Sequence, residues 1–442
     1  MNLQAEAFSS GADRAPHKKN ALKQRDGAIF RFREIGRRLR VRVYVSMLAL
    51  ALLALDFAGV KVAFAADAQI DVKIGFVRGP HSRDTISILD IPADDDGIAG
   101  ARLAAEDNNT TGKFLGQSFE IEDVKLKDGD DPLKAFQSLA DKGVGLILVD
   151  LPANQLLAVA DAARNKNKDI LLFNTSAYDD SLREENCRAD VIHVAPTYSM
   201  LADGLTQYLV WKRWPRWFMI KGSHPEDELF AEALRHSAKK FGAKIVEERT
   251  YQDTGGGRRS DSGSVQTQRL IPTATQGAPS YDVLIAADES DVFANYLPYR
   301  TYDPRPVAGS AGLKPTSWDP SHEQWGAYQL QSRFFKLASR GMNARDNQAW
   351  VAVRMIGEAA NRTGSNDPKT LRDYMTGPDF SIAAFKGQKQ TLRHWNQQLR
   401  QPILLGDGRM IVSVSPQEGF LHQVSELDTL GFDQPETKCK LQ

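Results

Sequence analysis

The sequence predicts an α/β protein built from two doubly wound parallel sheets. Three observations carry this reading. Short β-branched runs alternate with amphipathic helices from residue 71 onward, the alternation stops near residue 190 and restarts, and about 375 residues remain after an apolar leader.

The first series opens at Asp71-Val-Lys-Ile-Gly-Phe-Val77, whose period-2 apolar alternation predicts a strand stopped by Gly79-Pro80. A helix follows over about 97–109, with Ile98, Ala101, Leu103, Ala104 and Ala105 at helical spacing. Next come a strand over 119–127, a helix over 132–142, the wholly apolar strand Leu146-Ile-Leu-Val149, a helix over 154–165 and the strand Ile170-Leu-Leu-Phe173. Four strands joined by three helical crossovers make one doubly wound lobe. After Val191-Ile-His-Val-Ala-Pro196 the pattern restarts, with a helix over 199–212, the strand Trp217-Phe-Met-Ile220, a helix over 226–241, a strand over 244–251 and the strand Asp282-Val-Leu-Ile-Ala286. Residues 253–264, rich in Gly, Ser and Arg and without apolar periodicity, predict an exposed loop. A strong helical pattern over 347–362 needs a sheet to cover. Near the C-terminus, Pro402-Ile-Leu-Leu405, the turn Gly406-Asp-Gly408 and Met410-Ile-Val-Ser-Val414 read as a hairpin.

The N-terminus predicts export. Arg37, Arg38, Arg40 and Arg42 precede an apolar run over 45–55, followed by Val-Ala-Phe-Ala-Ala at 62–66, a small-residue cleavage pattern. Asp56 and Lys61 keep the run short of the ~20 apolar residues a spanning helix needs. Cleavage after Ala65 or Ala66 would remove residues 1–66, a signal peptide with an over-long polar front; a true start further along the chain is the alternative. The full chain is charge-balanced, but residues 1–66 hold 12 of the 56 basic and 5 of the 56 acidic side chains. The remainder has a net charge of about −7, which argues against nucleic acid as a partner. The only two cysteines, Cys187 and Cys439, allow one pairing in an oxidising compartment, so a disulfide is expected.

Restarted α/β halves, an export signal and a C-terminal return segment together resemble the type I periplasmic binding proteins of ABC transporters, in the branch of the branched-chain amino-acid binders, over about residues 70–430. That resemblance implies two lobes joined by a three-stranded hinge over a ligand cleft. Its crossings would lie near 194–197, 327–331 and 402–405. Lobe 1 would comprise 67–195 and 329–402, and lobe 2 would comprise 196–328, with 403–442 as hinge return and C-terminal segment on lobe 2. It further implies a periplasmic location, an inner-membrane ABC permease as partner and a monomer. Two segments, Arg393-His-Trp-Asn-Gln-Gln-Leu-Arg-Gln-Pro402 and the stretch from Val414-Ser-Pro-Gln-Glu-Gly419 to Leu430-Gly431, resemble binding proteins associated with PQQ-dependent alcohol dehydrogenase systems. The ligand expected from that likeness is pyrroloquinoline quinone (PQQ) or a related small carboxylated solute, with a quinoprotein dehydrogenase as a second partner. An amino acid or organic acid as cargo, and a sensing subunit in place of a transport component, stay open.

Ligands of open α/β sheets bind beyond the carboxyl ends of strands. The loops to watch therefore hold Arg78, Gly79 and Pro80; Asp150, Leu151 and Pro152; Asn174, Thr175, Ser176 and Ala177; Lys221, Gly222 and Ser223; Asp288 and Glu289. PQQ is flat, aromatic and tricarboxylate, so its site would need cationic forks and stacking faces, for which Arg78, Lys221, Arg393 and Arg400, with Trp318, Trp325 and Trp395, are candidates. Solvated arginines and core tryptophans are the plainer readings of these residue types. For Asn174-Thr-Ser176, local turn capping competes with ligand contact. Catalysis has little support and no catalytic cofactor is expected. Gly255-Gly-Gly257 lacks phosphate-loop spacing, His81 and His224 have no nucleophile elbow beside them, and Asp94-Asp-Asp96 lacks the alternation of a calcium loop.

Overall fold

The computed structural model describes residues 69–80, 85, 87, 91–166, 169–255 and 259–441. The leader, its cleavage site and His81 lie outside the described residues. Within Asp67–Gln442, which form one compact unit, the first sheet has the order β2-β1-β3-β4-β5, all parallel, from β1 (Ile70–Arg78), β2 (Gln117–Lys125), β3 (Leu146–Asp150), β4 (Leu171–Asn174) and β5 (Val191–His193). Pleating sorts the side chains of β1. Val72, Ile74 and Phe76 face α1 (Ile98–Leu115) and α8 (Ala344–Thr363), while Val77 faces α2 (Pro132–Asp141) and α3 (Ala153–Asn165). Both faces of the sheet are thus covered, as an all-parallel sheet requires. Helices α1 and α8 touch backbone to backbone. A Cβ on Gly100 would lie 1.9 Å from the Asp346 carbonyl oxygen and one on Gly357 2.3 Å from the Asn108 side chain, so only glycine fits at either place.

The second sheet has the order β7-β6-β8-β9, again all parallel, from β6 (Arg216–Lys221), β7 (Lys244–Thr250), β8 (Val283–Ala287) and β9 (Val307–Gly309). Trp217 and Met219 pack towards α4 (Tyr198–Trp211) and α5 (Pro225–Phe241), and Phe218 and Ile220 pack on the opposite face with Ile271 of α6 (Asp261–Thr275). A third sheet joins the lobes: β10 (Lys314–Thr316), β11 (Ile403–Gly406) and β12 (Ile411–Ser415) run antiparallel in the order β10-β11-β12, and the expected hairpin over 402–414 is its β11–β12 pair.

Several expectations need correction. The first sheet has five strands, not four, because the short run Val191–His193 pairs with β4. The expected loop over 253–264 gives way at Asp261 to α6, capped by the Ser260 hydroxyl, which accepts from the Gly263 amide at 3.1 Å. Its buried stripe is Gly263, Thr267, Ile271 and Thr275, nearly all small or hydroxylated, so no apolar period betrays it. The second crossing comes earlier than 327–331. Trp318 already sits in the first-lobe core, and Ala327 begins α7 (Ala327–Ala338), which packs on α1. Residues 403–430 do join the second lobe, through Ile403, Leu405 and Leu430. The extreme C-terminus returns to the first lobe's β4–β5 connection, where the Glu184 carboxylate accepts from the Lys438 amide at 2.6 Å and Cys187 is bonded to Cys439 across 252 residues.

The junction between lobes is polar and buried. Leu399 donates its amide to the His193 carbonyl at 2.9 Å, covering the edge of β5. The Gln398 amide donates to the carbonyls of His193 and Ala195, and the Arg183 guanidinium donates to the Gln398 side chain at 2.8 Å and to the Ala177 and Ala195 carbonyls. Asp428 holds both Arg393 (2.9 Å) and Arg400 (2.8 Å) in one buried ion triad. Gln401 donates to the Val194 carbonyl at 2.7 Å and accepts from the Lys386 ammonium at 2.7 Å. Burial pushes Lys386 down to about 7.

Two outcomes follow from this junction. A lysine depressed on folding makes the protein gain stability as pH rises from about 7 towards its unfolded value, because the unfolded chain then binds the extra proton. In urea unfolding, Lys386→Met should therefore show a smaller gain between pH 7 and 9.5 than the native chain, by on the order of 2 kcal/mol. Replacing both Cys187 and Cys439 by Ser should lower the unfolding free energy by about 3–5 kcal/mol, since it frees a very long loop in the unfolded state.

Candidate functional site

One cavity of about 880 Å³ opens at the carboxyl ends of the strands and is lined from both lobes. The first lobe contributes Gly79 and Pro80 after β1, Asp150, Leu151 and Pro152 at the end of β3, and Ser176, Ala177, Tyr178 and Asp179 after β4. Its later segment adds Arg340 and Asn343 from the α7–α8 loop and Arg345 from the first turn of α8. The second lobe adds Tyr198 at the start of α4, Glu226 in the first turn of α5 and Glu289 just after β8. The location is the one expected for an open parallel sheet.

Of the eleven residues singled out from sequence as ligand contacts, Asp150 and Ser176 line this cavity. Asp150 is buried and pairs with Arg345 at 3.3 Å. The remaining nine are committed elsewhere. Arg78 grips Asp123 through two hydrogen bonds of 2.8 Å and also donates to the Asp94 and Asp96 carbonyls. Asn174 closes its own turn, accepting from the Ser176 and Ala177 amides and donating to the Ala177 carbonyl. Thr175 donates to the Val149 carbonyl. Lys221 is ion-paired with Glu228. The Asp288 carboxylate accepts from the amides of Val292, Phe293 and Ala294. The two loop arginine and lysine candidates thus serve as struts, and local capping wins at Asn174 and Asp288.

The aromatic candidates fare similarly. Trp318 is buried in the first-lobe core, edge-on to His322 with centroids 5.1 Å apart. Trp325 is half-exposed, at φ 50°, and packs over Gly387, where a Cβ would come within 2.7 Å of its ring. Trp395 lies beneath Arg393 and Arg400, whose guanidinium carbons stand 5.5 and 5.2 Å from its centroid. Both arginines are held by Asp428. The Asp94–Asp96 run passes from a fully exposed Asp94 to a buried Asp96. Lys125 pairs with Asp94, and Arg340 pairs with Asp95 and Asp96. Among the described residues no group of three or more His, Cys, Asp or Glu is placed to hold a metal.

Sequence reasoning missed Tyr178, Asp179, Tyr198, Glu226, Arg340, Asn343 and Arg345. The last three had a readable signal: Asn343 and Asp346 form a reciprocal capping box, with Asn343 accepting from the Asp346 amide at 3.0 Å and Asp346 from the Asn343 amide at 3.1 Å. That box starts α8 at Ala344 and sets the loop before it at the cavity wall. Asp346 also accepts from the Gly97 amide at 2.9 Å and from Arg340, which fixes this wall to the start of α1. The tyrosines could be found only in three dimensions. Tyr178 and Tyr198 meet edge-on, centroids 5.8 Å apart at 84°, and the Tyr178 hydroxyl accepts from Gln348 at 2.9 Å.

Comparison with known proteins bears on this arrangement. A family model described as periplasmic binding protein matches residues 92–265, a stretch that runs from before α1 in the first lobe into α6 in the second. No curated protein sequence matches the chain. Solved structures superpose on nearly their whole length. An ABC transporter substrate-binding protein from Sphaerobacter thermophilus is 15% identical with a TM-score of 0.64, covering 82% of this chain and 100% of its own. The fold is that of the type I periplasmic binding proteins. A leucine-, isoleucine-, valine-, threonine- and alanine-binding protein from Brucella ovis, in a closed conformation, is 14% identical with a TM-score of 0.62, covering 84% of this chain and 99% of that one. A solute-binding protein of an ABC transporter from R. palustris, in complex with benzoate, is 12% identical with a TM-score of 0.60, covering 84% of this chain and 100% of that one. Within this periplasmic binding protein fold, the cavity occupies the cleft between the two lobes.

The strut assignments are testable. Arg78→Met strands the Asp123 carboxylate and should cost about 2–3 kcal/mol in chemical denaturation. Isothermal titration with any solute the protein binds should give an unchanged affinity for this variant at a temperature where it remains folded.

Proposed function

We propose that the chain is the exported solute-binding component of an ABC transporter, capturing a small molecule in the periplasm between its two lobes and presenting it to an inner-membrane permease. The observation that carries this reading is the interlobe cavity, lined by strand ends of both sheets and by the α7–α8 loop, in a fold whose lobes are joined by three hinge passes of chain and by the C-terminal return that the Cys187–Cys439 bond ties down. Such a joint allows one lobe to rotate on the other, so contacts from both walls can couple binding to closure. The similar proteins are named as ABC transporter binding proteins, with amino acids or benzoates among their ligands. Among the described residues of the cavity, the Ser176 hydroxyl donates to the Leu151 carbonyl at 3.4 Å and has no histidine beside it.

PQQ or a related carboxylated solute is the finer reading, and its support is the likeness of the two C-terminal segments. Their residues serve the hinge: Arg393, Arg400 and Asp428 form the buried triad, and Gln398 and Gln401 bind the first crossing. Among the described residues, the cations that line the cavity are Arg340 and Arg345, both already paired with carboxylates. A three-carboxylate ligand would have to draw Arg345 away from Asp150.

Calorimetric titration with PQQ, leucine and benzoate, followed by small-angle scattering of each mixture, tests both levels of the proposal. A 1:1 isotherm with a shrinking radius of gyration supports solute capture. If PQQ is the ligand, Arg345→Ala should weaken it at least tenfold; a response to leucine or benzoate but not to PQQ removes the cofactor and keeps the binding protein. A solute that is bound and chemically converted would refute the transport reading.

A further inference from the structure

The charge inside the cavity is uneven. Arg340 is spent on Asp95, Asp96 and Asp346, with contacts of 2.9, 3.3 and 2.6 Å, and Arg345 faces Asp150. Asp179, Glu226 and Glu289 also line the cavity, and none of the three makes an ion pair with a described Lys or Arg. Glu289 accepts one hydrogen bond, from the Ser310 hydroxyl at 2.9 Å, and burial pushes its carboxyl up to about 7. The neighbouring carboxylates of Asp227 and Asp288 act on it in the same direction. Lys314 acts on Glu289 and Arg183 on Asp179 at longer range, but with no ion pair to a described Lys or Arg the three acids repel one another and any anion that enters. Beside aliphatic lining such as Ile91 and Leu151, two aromatic rings, Tyr178 and the almost fully buried Tyr198, line the same cavity from the two lobes. An acidic wall beside aromatic rings is the chemistry that receives a positively charged nitrogen on an organic body.

We propose that this cavity selects a small organic cation, an amine or quaternary ammonium on an apolar or aromatic body, with Glu289, Glu226 and Asp179 as its counter-charges and the two tyrosines as its apolar seat. This assignment rests on the solute-binding reading alone, narrows it to one charge class and stands against a polycarboxylate such as PQQ as the cargo. Lobe closure would bring Glu226 and Glu289 of the second lobe towards Asp179 of the first, so the cation supplies the charge that lets the acidic walls approach.

The test is isothermal titration of the purified protein with choline and benzylamine against benzoate and leucine. Choline or benzylamine should bind 1:1, with benzoate and leucine at least tenfold weaker. Glu289→Gln keeps an acceptor for Ser310 and should weaken the cation at least tenfold; Glu226→Gln, at a more open position, provides a second reading should the first variant fold poorly. Because choline does not titrate, its affinity reports the protein alone. It should rise about tenfold between pH 6 and pH 8 as the Glu289 carboxyl loses its proton. Benzoate or leucine binding more tightly than both cations overturns the cation assignment while solute capture stands. Heat from none of the four probes also overturns it, and native mass spectrometry for a retained solute then judges solute capture separately.

Discussion

Everything in this molecule depends on carrying three passes of chain between two lobes without leaving backbone groups stranded. Where a sheet ends and the chain leaves for the other lobe, ladder partners run out, and a buried amide or carbonyl left unmade costs of the order of 1–3 kcal/mol. Side chains supply the partners here. Arg183 is buried and pulled down to about 10 by desolvation, yet its donors are used on the carbonyls of Ala177 and Ala195 and on Gln398. Gln397, at φ 56°, turns its side chain onto the carbonyls of Arg188, Ala189 and Val191. Such a joint is specific about direction while remaining thin, which is what a hinge between two rigid sheets needs.

The same accounting separates what was legible in the sequence from what was not. Strands such as Leu146–Asp150 and Val283–Ala287 are buried on both faces and announce themselves as unbroken apolar runs. Helix α6 does not, because Thr267 and Thr275 bury hydroxyls that bond back to the Gly263 and Ile271 carbonyls and need no apolar period. For the cavity, the rule about strand ends pointed to loops whose Gly79, Pro80, Asp150, Ser176 and Glu289 line it. It could not say which residue in a loop faces the solute. Asn174 and Asp288 cap turns, while Ser176 and Glu289, one or two positions further on, line the cleft. Charged residue type misled further, since an arginine at a strand end is as useful to a neighbouring carboxylate as to a ligand, and Asp123 claims Arg78.

The C-terminal segments show how a sequence likeness can be informative about one property and silent on another. Their arginines and glutamines are the densest polar cluster in the chain, which invites a ligand-binding reading, yet they stand at the crossings and satisfy backbone. A likeness in such residues speaks of how the lobes are hinged. The cavity walls draw on Tyr178, Tyr198, Glu226 and Glu289, which sit in separate elements and form no motif.

The bond between Cys187 and Cys439 has a topological meaning. It closes a ring of chain that contains all three interlobe passes, leaving outside it the described first-lobe strands β1 to β4 with α1, α2 and α3. A protease that nicks the exposed segment before α6 would break the ring without dividing the molecule. The pieces would stay one covalent body, the second lobe still bound to the first from both sides of the cut, and would separate only in reductant.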